Sequence, residues 1–187
     1  MNKTVIITGA AKGIGRAIAK DFAYSGYNVC INYNTSEEKA KELCQELAKD
    51  GCNVIIYKAD VTNRQEVDKM VDYVIGTFGN IDVLINNAGI SEYKLFTDIT
   101  QEDMEKMVNV NILGVFNTTQ SVLKKSMLSR KDGTIINISS IWGMVGASLE
   151  VAYSTTKAAI IGMSKALAKE LAPSNITVNV VAPGAIS

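Results

Sequence analysis

The sequence predicts a doubly wound α/β domain built on a parallel sheet, and three observations carry that prediction. Short β-branched runs alternate with longer segments of helical periodicity, the runs are apolar almost throughout, and no Pro/Gly/Ser-rich linker or repeat divides them. Strands that alternate with helices are joined by crossovers and so lie parallel, and strands without a polar side need cover on both faces.

The first run, Thr4 to Thr8, leads into a glycine-bearing loop and a helical segment from Arg16 to Tyr24. The second, Asn28 to Tyr33, is followed by Ala40, Leu43, Cys44, Leu47 and Ala48 at helical spacing, with Thr35 and Glu38 fitting a capping box. After the third, Asn53 to Lys58, Thr62 and Gln65 fit a second box. Val67, Met70, Val71, Val74 and Phe78 then form one apolar stripe that Gly79 ends. Asp82 to Asn86 is the fourth run, and a long helical pattern covers about Gln101 to Leu128. Thr134 to Ile138 is the fifth, Val151 to Ala172 is a helix that Pro173 stops, and Thr177 to Val181 is the sixth.

Composition excludes several functions. The 187 residues are one domain's length, and 47% apolar with 20% charged residues fits an ordinary core. Nineteen basic residues balance nineteen acidic ones, so nucleic acid and anionic membranes are not expected partners. The apolar stretch Thr4 to Ile7 is too short for a signal peptide or membrane span, and the chain reads as cytoplasmic. Cys30, Cys44 and Cys52 form no C-x-x-C pair and read as free thiols, with no metal site expected. Histidine is absent, which removes the Ser-His-Asp and Cys-His triads and the His-bearing zinc motifs.

Between the first strand and first helix stands Thr8-Gly9-Ala10-Ala11-Lys12-Gly13-Ile14-Gly15. Glycines there let the chain turn sharply, let a pyrophosphate approach the helix N-terminus, and let helix and strand pack closely, which predicts a Rossmann-type dinucleotide site. An NAD site places a carboxylate at the end of the second strand to hold the ribose hydroxyls. Here that strand ends Asn32-Tyr33-Asn34, while Lys12 lies in the loop, so NADP(H) is favoured over NAD(H); the alternative for Lys12 is a solvated loop charge. Tyr153 and Lys157, four residues apart at the start of a helix, share a face. At about 6 Å and an effective dielectric near 20, an ammonium favours a phenolate by about 2.8 kcal/mol, which predicts a tyrosine pKa moved from about 10 towards about 8.

With these motifs in order, the chain resembles the short-chain dehydrogenase/reductase family over its whole length. Thr8 to Gly15 is similar to its T-G-x-x-x-G-x-G loop, Asp60-Val61 to its adenine-contacting pair, Asn86-Asn87-Ala88-Gly89 to its N-N-A-G, and Pro183-Gly184 to its nicotinamide-side turn. The resemblance implies a catalytic tetrad of Asn111, Ser140, Tyr153 and Lys157. Tyr153 would protonate a carbonyl oxygen, Ser140 would hold it, Lys157 would lower the tyrosine pKa and bind ribose, and Asn111 would keep a water in line. It further implies cofactor contacts from Thr8, Gly9, Lys12, Gly13, Ile14, Gly15, Asn32, Asp60, Val61, Asn87, Ala88, Gly89, Tyr153, Lys157, Pro183, Gly184 and Ile186. Taken alone, Ser140 also reads as a strand-end cap and Asn111 as a satisfied buried amide, and Ser139 is a rival to Ser140.

Within the family the chain looks most like the 3-oxoacyl-acyl-carrier-protein reductases of fatty acid biosynthesis, which implies NADPH-dependent reduction of a 3-oxoacyl thioester. The alternatives are a reductase of a sugar, steroid or small ketone, and a non-catalytic dinucleotide-binding module. Lys124, Lys125, Arg130 and Lys131 read either as a docking patch for acyl carrier protein or as charges answering a helix dipole. Ile90 to Phe96 and Ile141 to Ala152 are expected around the substrate. Ala158, Ala159, Gly162 and Ala166 permit close packing, against a second copy in a homo-oligomer or against the chain's own sheet. Residues 1–187 thus read as one dinucleotide-binding domain with a built-in catalytic site. Family members continue past this point through a substrate-covering segment, further helix and a seventh strand. Without those parts, one sheet edge and the nicotinamide side of the site are expected to lack their usual cover.

Overall fold

Strands of this sequence are short because the apolar runs are short, and the computed structural model, which describes residues 2–184, places them where periodicity predicts to within a residue at either end. They are β1 (Thr4–Ile7), β2 (Asn28–Tyr33), β3 (Val54–Lys58), β4 (Val83–Asn86), β5 (Gly133–Ile138) and β6 (Ile176–Val181). All neighbours pair in parallel, in the order β3-β2-β1-β4-β5-β6. The order reverses between β1 and β4, and a crevice opens beyond the carboxyl ends of the strands there.

The helices are α1 (Gly13–Tyr24), α2 (Glu37–Lys49), α3 (Arg64–Phe78), α4 (Gln101–Val108), α5 (Gly114–Val122), α6 (Leu128–Arg130), α7 (Trp142–Val145) and α8 (Val151–Leu171). Because strand side chains alternate, β1 sends Val5 and Ile7 towards α1 and α2 and sends Ile6 towards α3. One core joins Val29, Ile31 and Ile85 to Ala19, Leu43 and Leu47, and the other joins Leu84, Ile135 and Val178 to Val71, Val122 and Leu171. None of the described helices is long and apolar enough to cross a membrane. Cys30, Cys44 and Cys52 are free, and burial pushes the Cys30 thiol up to about 12.

Several local expectations need correction. Full burial holds for β1, β2 and β4, but in β6 Ile176 and Val178 are buried while Thr177, Asn179 and Val181 are exposed, since α1 and α2 cover only the other half of that face. The box at Thr35 and Glu38 does not form: Ser36 caps α2 without a side-chain bond, and Glu37 and Glu38 pair with Lys41 instead. At α3 the cap is Asn63, whose Oδ1 accepts from the Gln65 and Glu66 amides, because the Thr62 hydroxyl is taken by Asp60 Oδ1 at 2.8 Å. The Gln101 to Leu128 pattern is helical but broken by two π-turns, at Asn109–Leu113 and Leu123–Met127. On α8, Ala158, Ala159, Gly162 and Ala166 are exposed, so packing on the chain's own sheet does not account for them; Ala152, Thr156, Ile160 and Ser164 are buried instead.

A buried polar ladder ties the second core layer to the sheet. Asn86 Nδ2 donates to Asn137 Oδ1 at 2.8 Å across the β4–β5 pair and to Thr119 on α5, while Asn137 Nδ2 donates to Ser164 Oγ on α8 at 2.9 Å. Cutting it strands buried partners, and each orphaned amide group costs more than a hydrogen bond contributes. Asn137→Ala is therefore expected to lower the unfolding free energy by about 1–3 kcal/mol in urea titration; an unchanged midpoint and slope would contradict this role.

Candidate active site

The glycine loop sits where β1 ends beside β4. Thr8 Oγ1 accepts hydrogen bonds from the Asn87 and Ala88 amides at 2.9 and 3.0 Å, and Asn87 Nδ2 donates back to Thr8 O and Gly9 O. Gly15 lies so close to that crossing that a Cβ would stand 2.5 Å from Asn87 Nδ2 and 2.8 Å from Gly9 O. Gly9 and Gly13 take φ of 63° and 56°, which a side chain would strain. The first turn of α1 then faces the crevice with no acidic residue and no side-chain cap, so its amides are available to an anion.

This loop forms one wall of a cleft of about 950 Å³. Gly9, Lys12, Gly13, Ile14, Asn32, Asp60, Val61, Asn87, Ala88 and Gly89 all line it, together with Tyr33, Asn34, Thr35 and Ser36 from the end of β2. Thr8 and Gly15 stand behind the wall and shape it. Asn32 is also spent on structure, since its Oδ1 accepts from Gly9 N at 3.2 Å and its Nδ2 donates to Ala59 O at 3.0 Å.

A second cleft of about 310 Å³ shares Ile14, Asn87, Gly89 and Ile90 with the first and is lined by Ser139, Ser140, Tyr153, Lys157, Pro183 and Gly184. Pro183 arrives there because Ile141 N donates to its carbonyl at 2.9 Å, extending the β5–β6 pairing past the strand ends. Ile186 lies outside the described residues. The two serines differ in their partners: the Ser139 hydroxyl donates to Lys157 O at 2.8 Å, which fastens β5 to α8. Ser140 keeps its hydroxyl towards the cleft, accepting only a long 3.2 Å bond from Trp142 N.

Lys157 is buried. Its Nζ donates to Ile138 O at 2.8 Å and lies 5.6 Å from the centre of the Tyr153 ring. Burial lowers its pKa to about 8. The expected fall of the Tyr153 pKa is not found, because half-burial pushes the phenol up; a hydrogen bond from Ser140 opposes that rise, and the nearby Glu150 and Tyr93 add to it. An ammonium at about 6 Å acts on a phenol that burial has already desolvated, and Lys157 Nζ is directed at the Ile138 carbonyl.

Asn111 does not border either cleft. Its Oδ1 accepts from Ile90 N at 2.8 Å, and its Nδ2 donates to Ile90 O at 2.9 Å and Thr156 Oγ1 at 3.0 Å, so the amide is satisfied within the protein. It occupies the π-turn, where the extra residue lets one side chain brace the β4–α4 loop and α8 together. Of the basic cluster, Lys125 pairs with Asp72 at 2.8 Å and Arg130 with Asp82, just before β4, at 2.8 Å, and none of the four residues lines either cleft.

Comparison with known proteins agrees with this geometry. The short chain dehydrogenase family model matches residues 3–187.

The chain belongs to the short-chain dehydrogenase family.

It is accordingly an oxidoreductase acting on CH–OH or C=O groups. A relative named 3-oxoacyl-[acyl-carrier-protein] reductase FabG, from Staphylococcus epidermidis, is 42% identical over 186 residues, covering 100% of this chain and 76% of that protein. The 3-oxoacyl-[acyl-carrier-protein] reductase of Synechocystis is 41% identical, covering 99% and 74%. An uncharacterized oxidoreductase YmfI of Bacillus subtilis is likewise 41% identical, covering 100% and 76%. The solved structure of ElxO with NADP bound matches with a TM-score of 0.92 and 39% identity, covering 100% of this chain and 75% of the other.

Nothing in the sequence marks Thr156, and it places Gly143 only within the segment Ile141 to Ala152 expected around the substrate. Thr156 carries no signal, since a threonine on a buried helix face reads as packing. Gly143 fits because α7 touches the α8 backbone: a Cβ there would stand 2.7 Å from Lys157 C and 2.9 Å from Lys157 O. Gly143 N also donates to Ser140 O at 2.9 Å, so displacing α7 moves Ser140 relative to Tyr153. Gly143→Ala is expected to lower turnover about a hundredfold in a steady-state assay, with the fold kept by circular dichroism; undiminished turnover would refute the constraint.

Proposed function

We propose that the chain is an NADPH-dependent reductase of 3-oxoacyl thioesters, converting the 3-oxo group to a 3-hydroxy group, with the acyl chain delivered on acyl carrier protein. The observation that carries this reading is the continuity of the two clefts. A dinucleotide lying in the first reaches, past Ile14, Asn87 and Gly89, a small chamber holding Ser140, Tyr153 and Lys157. The reductase names of similar proteins support the substrate class.

The residues present fit NADP. The bare first turn of α1 and the glycine loop suit the pyrophosphate. At the end of β2, Tyr33, Asn34, Thr35 and Ser36 border the cleft and supply no carboxylate themselves, Lys12 lines the same cleft, Asp60 accepts from Asn34 Nδ2 at 2.9 Å, and Glu37 and Glu38 are paired with Lys41. That donor set suits a 2′-phosphate. A similar protein, ElxO, has been solved with NADP bound.

When bound, NADPH supplies a hydride to the carbonyl carbon. Tyr153 gives its hydroxyl proton to the carbonyl oxygen, and Ser140 donates a hydrogen bond to the same oxygen. Lys157 uses one of three N–H donors on Ile138 O, which fixes the ammonium and leaves two for a ribose hydroxyl. With a pKa of about 8 it still carries its charge at neutral pH. Tyr153 enters the reaction as a phenol; burial pushes its pKa up and the Ser140 hydrogen bond opposes that rise, which favours transfer of the proton. Asn111 braces the Ile90 turn against Thr156, holding the chamber's roof to α8.

A second reading, reduction of another small ketone, is favoured by one observation: of the four basic residues that suit either a carrier protein or a helix dipole, Lys125 and Arg130 are ion-paired with Asp72 and Asp82, and none lines a cleft. A substrate series of 3-oxoacyl thioesters against sugars, steroids and simple ketones separates the two.

Tyr153→Phe is expected to cut turnover by about 10²–10⁴-fold while NADPH binding, followed by nicotinamide fluorescence, persists. Undiminished turnover would exclude Tyr153 as the proton donor.

A further inference from the structure

Thr156 lies fully buried on α8, where an apolar side chain would serve for packing alone. Burying a hydroxyl is costly unless it is bonded, and this one is bonded twice. It donates to Tyr153 O at 2.8 Å and accepts from Asn111 Nδ2 at 3.0 Å. A hydroxyl has one proton, so spending it on the Tyr153 carbonyl turns a lone pair towards Asn111. Thr155 beside it makes the contrast: its exposed hydroxyl donates to Val151 O at 2.8 Å, an ordinary bond back along the helix.

Asn111 in turn grips Ile90 by both of its backbone groups. Its Oδ1 accepts from Ile90 N at 2.8 Å, and its Nδ2 donates to Ile90 O at 2.9 Å. Ile90 borders both clefts, and Gly89 before it sits so close that a Cβ there would stand 3.2 Å from Asn111 Oδ1 and 3.4 Å from Lys157 Nζ. A path of hydrogen bonds therefore runs from the Gly89–Ile90 turn through Asn111 and Thr156 to the backbone of Tyr153. Both Nδ2 protons of Asn111 are committed, so removing the Thr156 hydroxyl leaves one of them buried without an acceptor.

We propose that Thr156 is a positioning residue of this reaction. Acting through Asn111, its hydroxyl sets how far the Gly89–Ile90 turn stands from Tyr153, and hence the distance over which the phenol proton reaches a carbonyl oxygen held in the chamber. The inference rests on the reading of Tyr153 as proton donor. The glycine loop, Lys12 and the end of β2 lie outside this path, so NADPH is held as before when the hydroxyl is lost.

The experiment compares Thr156→Val and Thr156→Ala, which remove the hydroxyl with and without keeping the bulk, with Thr156→Ser, which keeps it. All are made in the full chain, with the fold checked by circular dichroism. The first readout needs no substrate: in ¹⁵N-labelled protein, exchange of the Ile90 amide proton speeds up by about tenfold in Thr156→Val and stays near the unaltered rate in Thr156→Ser. The second uses the ketone that the unaltered chain turns over best: kcat falls by about 10–100-fold in Thr156→Val with the Kd for NADPH unchanged, and Thr156→Ser restores it. Because the effect passes through Asn111, Asn111→Ala combined with Thr156→Val loses no more turnover than Asn111→Ala alone. Unchanged Ile90 exchange in Thr156→Val, undiminished kcat, an equal loss in Thr156→Ser, or losses that multiply in the double variant each overturn the proposal. If Tyr153→Phe still turns over, the reading of Tyr153 itself fails; if it is inactive while Thr156→Val is fully active, only the role of Thr156 fails.

Discussion

The site depends on the seating of α8 over the carboxyl end of β5. Three contacts make that seat: Ser139 Oγ to Lys157 O, Lys157 Nζ to Ile138 O, and the bare Cα of Gly143 against the Lys157 backbone. Each is short range and polar or steric, so together they define one position of the helix rather than a range. Ser140 and Tyr153 come from opposite sides of this joint, and their approach follows from it. Lower on the same helix, the bond from Asn137 to Ser164 anchors α8 to the middle of the sheet. The polar ladder and the candidate catalytic groups are therefore parts of one mechanical unit.

The loop after β1 obeys a similar constraint. Its path is held by bonds among Thr8, Gly9, Asn87 and Ala88, and Gly15 is required because Asn87 and Gly9 already fill the space a side chain would take. Residues such as Thr8, Gly15 and Asn32 thus serve a bound dinucleotide by shaping the wall from inside it. The burial that makes Lys157 useful also lowers its hold on its own proton, to about pH 8, so ammonium chemistry here operates close to its limit near neutrality.

Much of this was legible in the sequence because it depends on local pattern. Strand positions follow from apolar runs, and the order of Thr8 to Gly15, Asn86 to Gly89, Ser140, Tyr153 and Lys157 locates the clefts. What escaped depends on distant partners. Thr62 reads as a cap until Asp60 claims its hydroxyl, and Lys125 and Arg130 read as free charges until Asp72 and Asp82 appear beside them. The π-turn at Asn111 has no local signature, since it exists to place one amide between two other elements. The Tyr153 pKa was misjudged because spacing along a helix conveys proximity but not desolvation.

The central claim is that the two continuous clefts make one hydride-transfer site. Supplying NADPH deuterated at C4 together with a 3-oxoacyl thioester, and weighing the product by mass spectrometry, tests it directly. The account predicts a 3-hydroxyacyl product carrying one deuterium at C3 from one face of the nicotinamide; NADPH binding with no labelled product from thioester or any other ketone would contradict it.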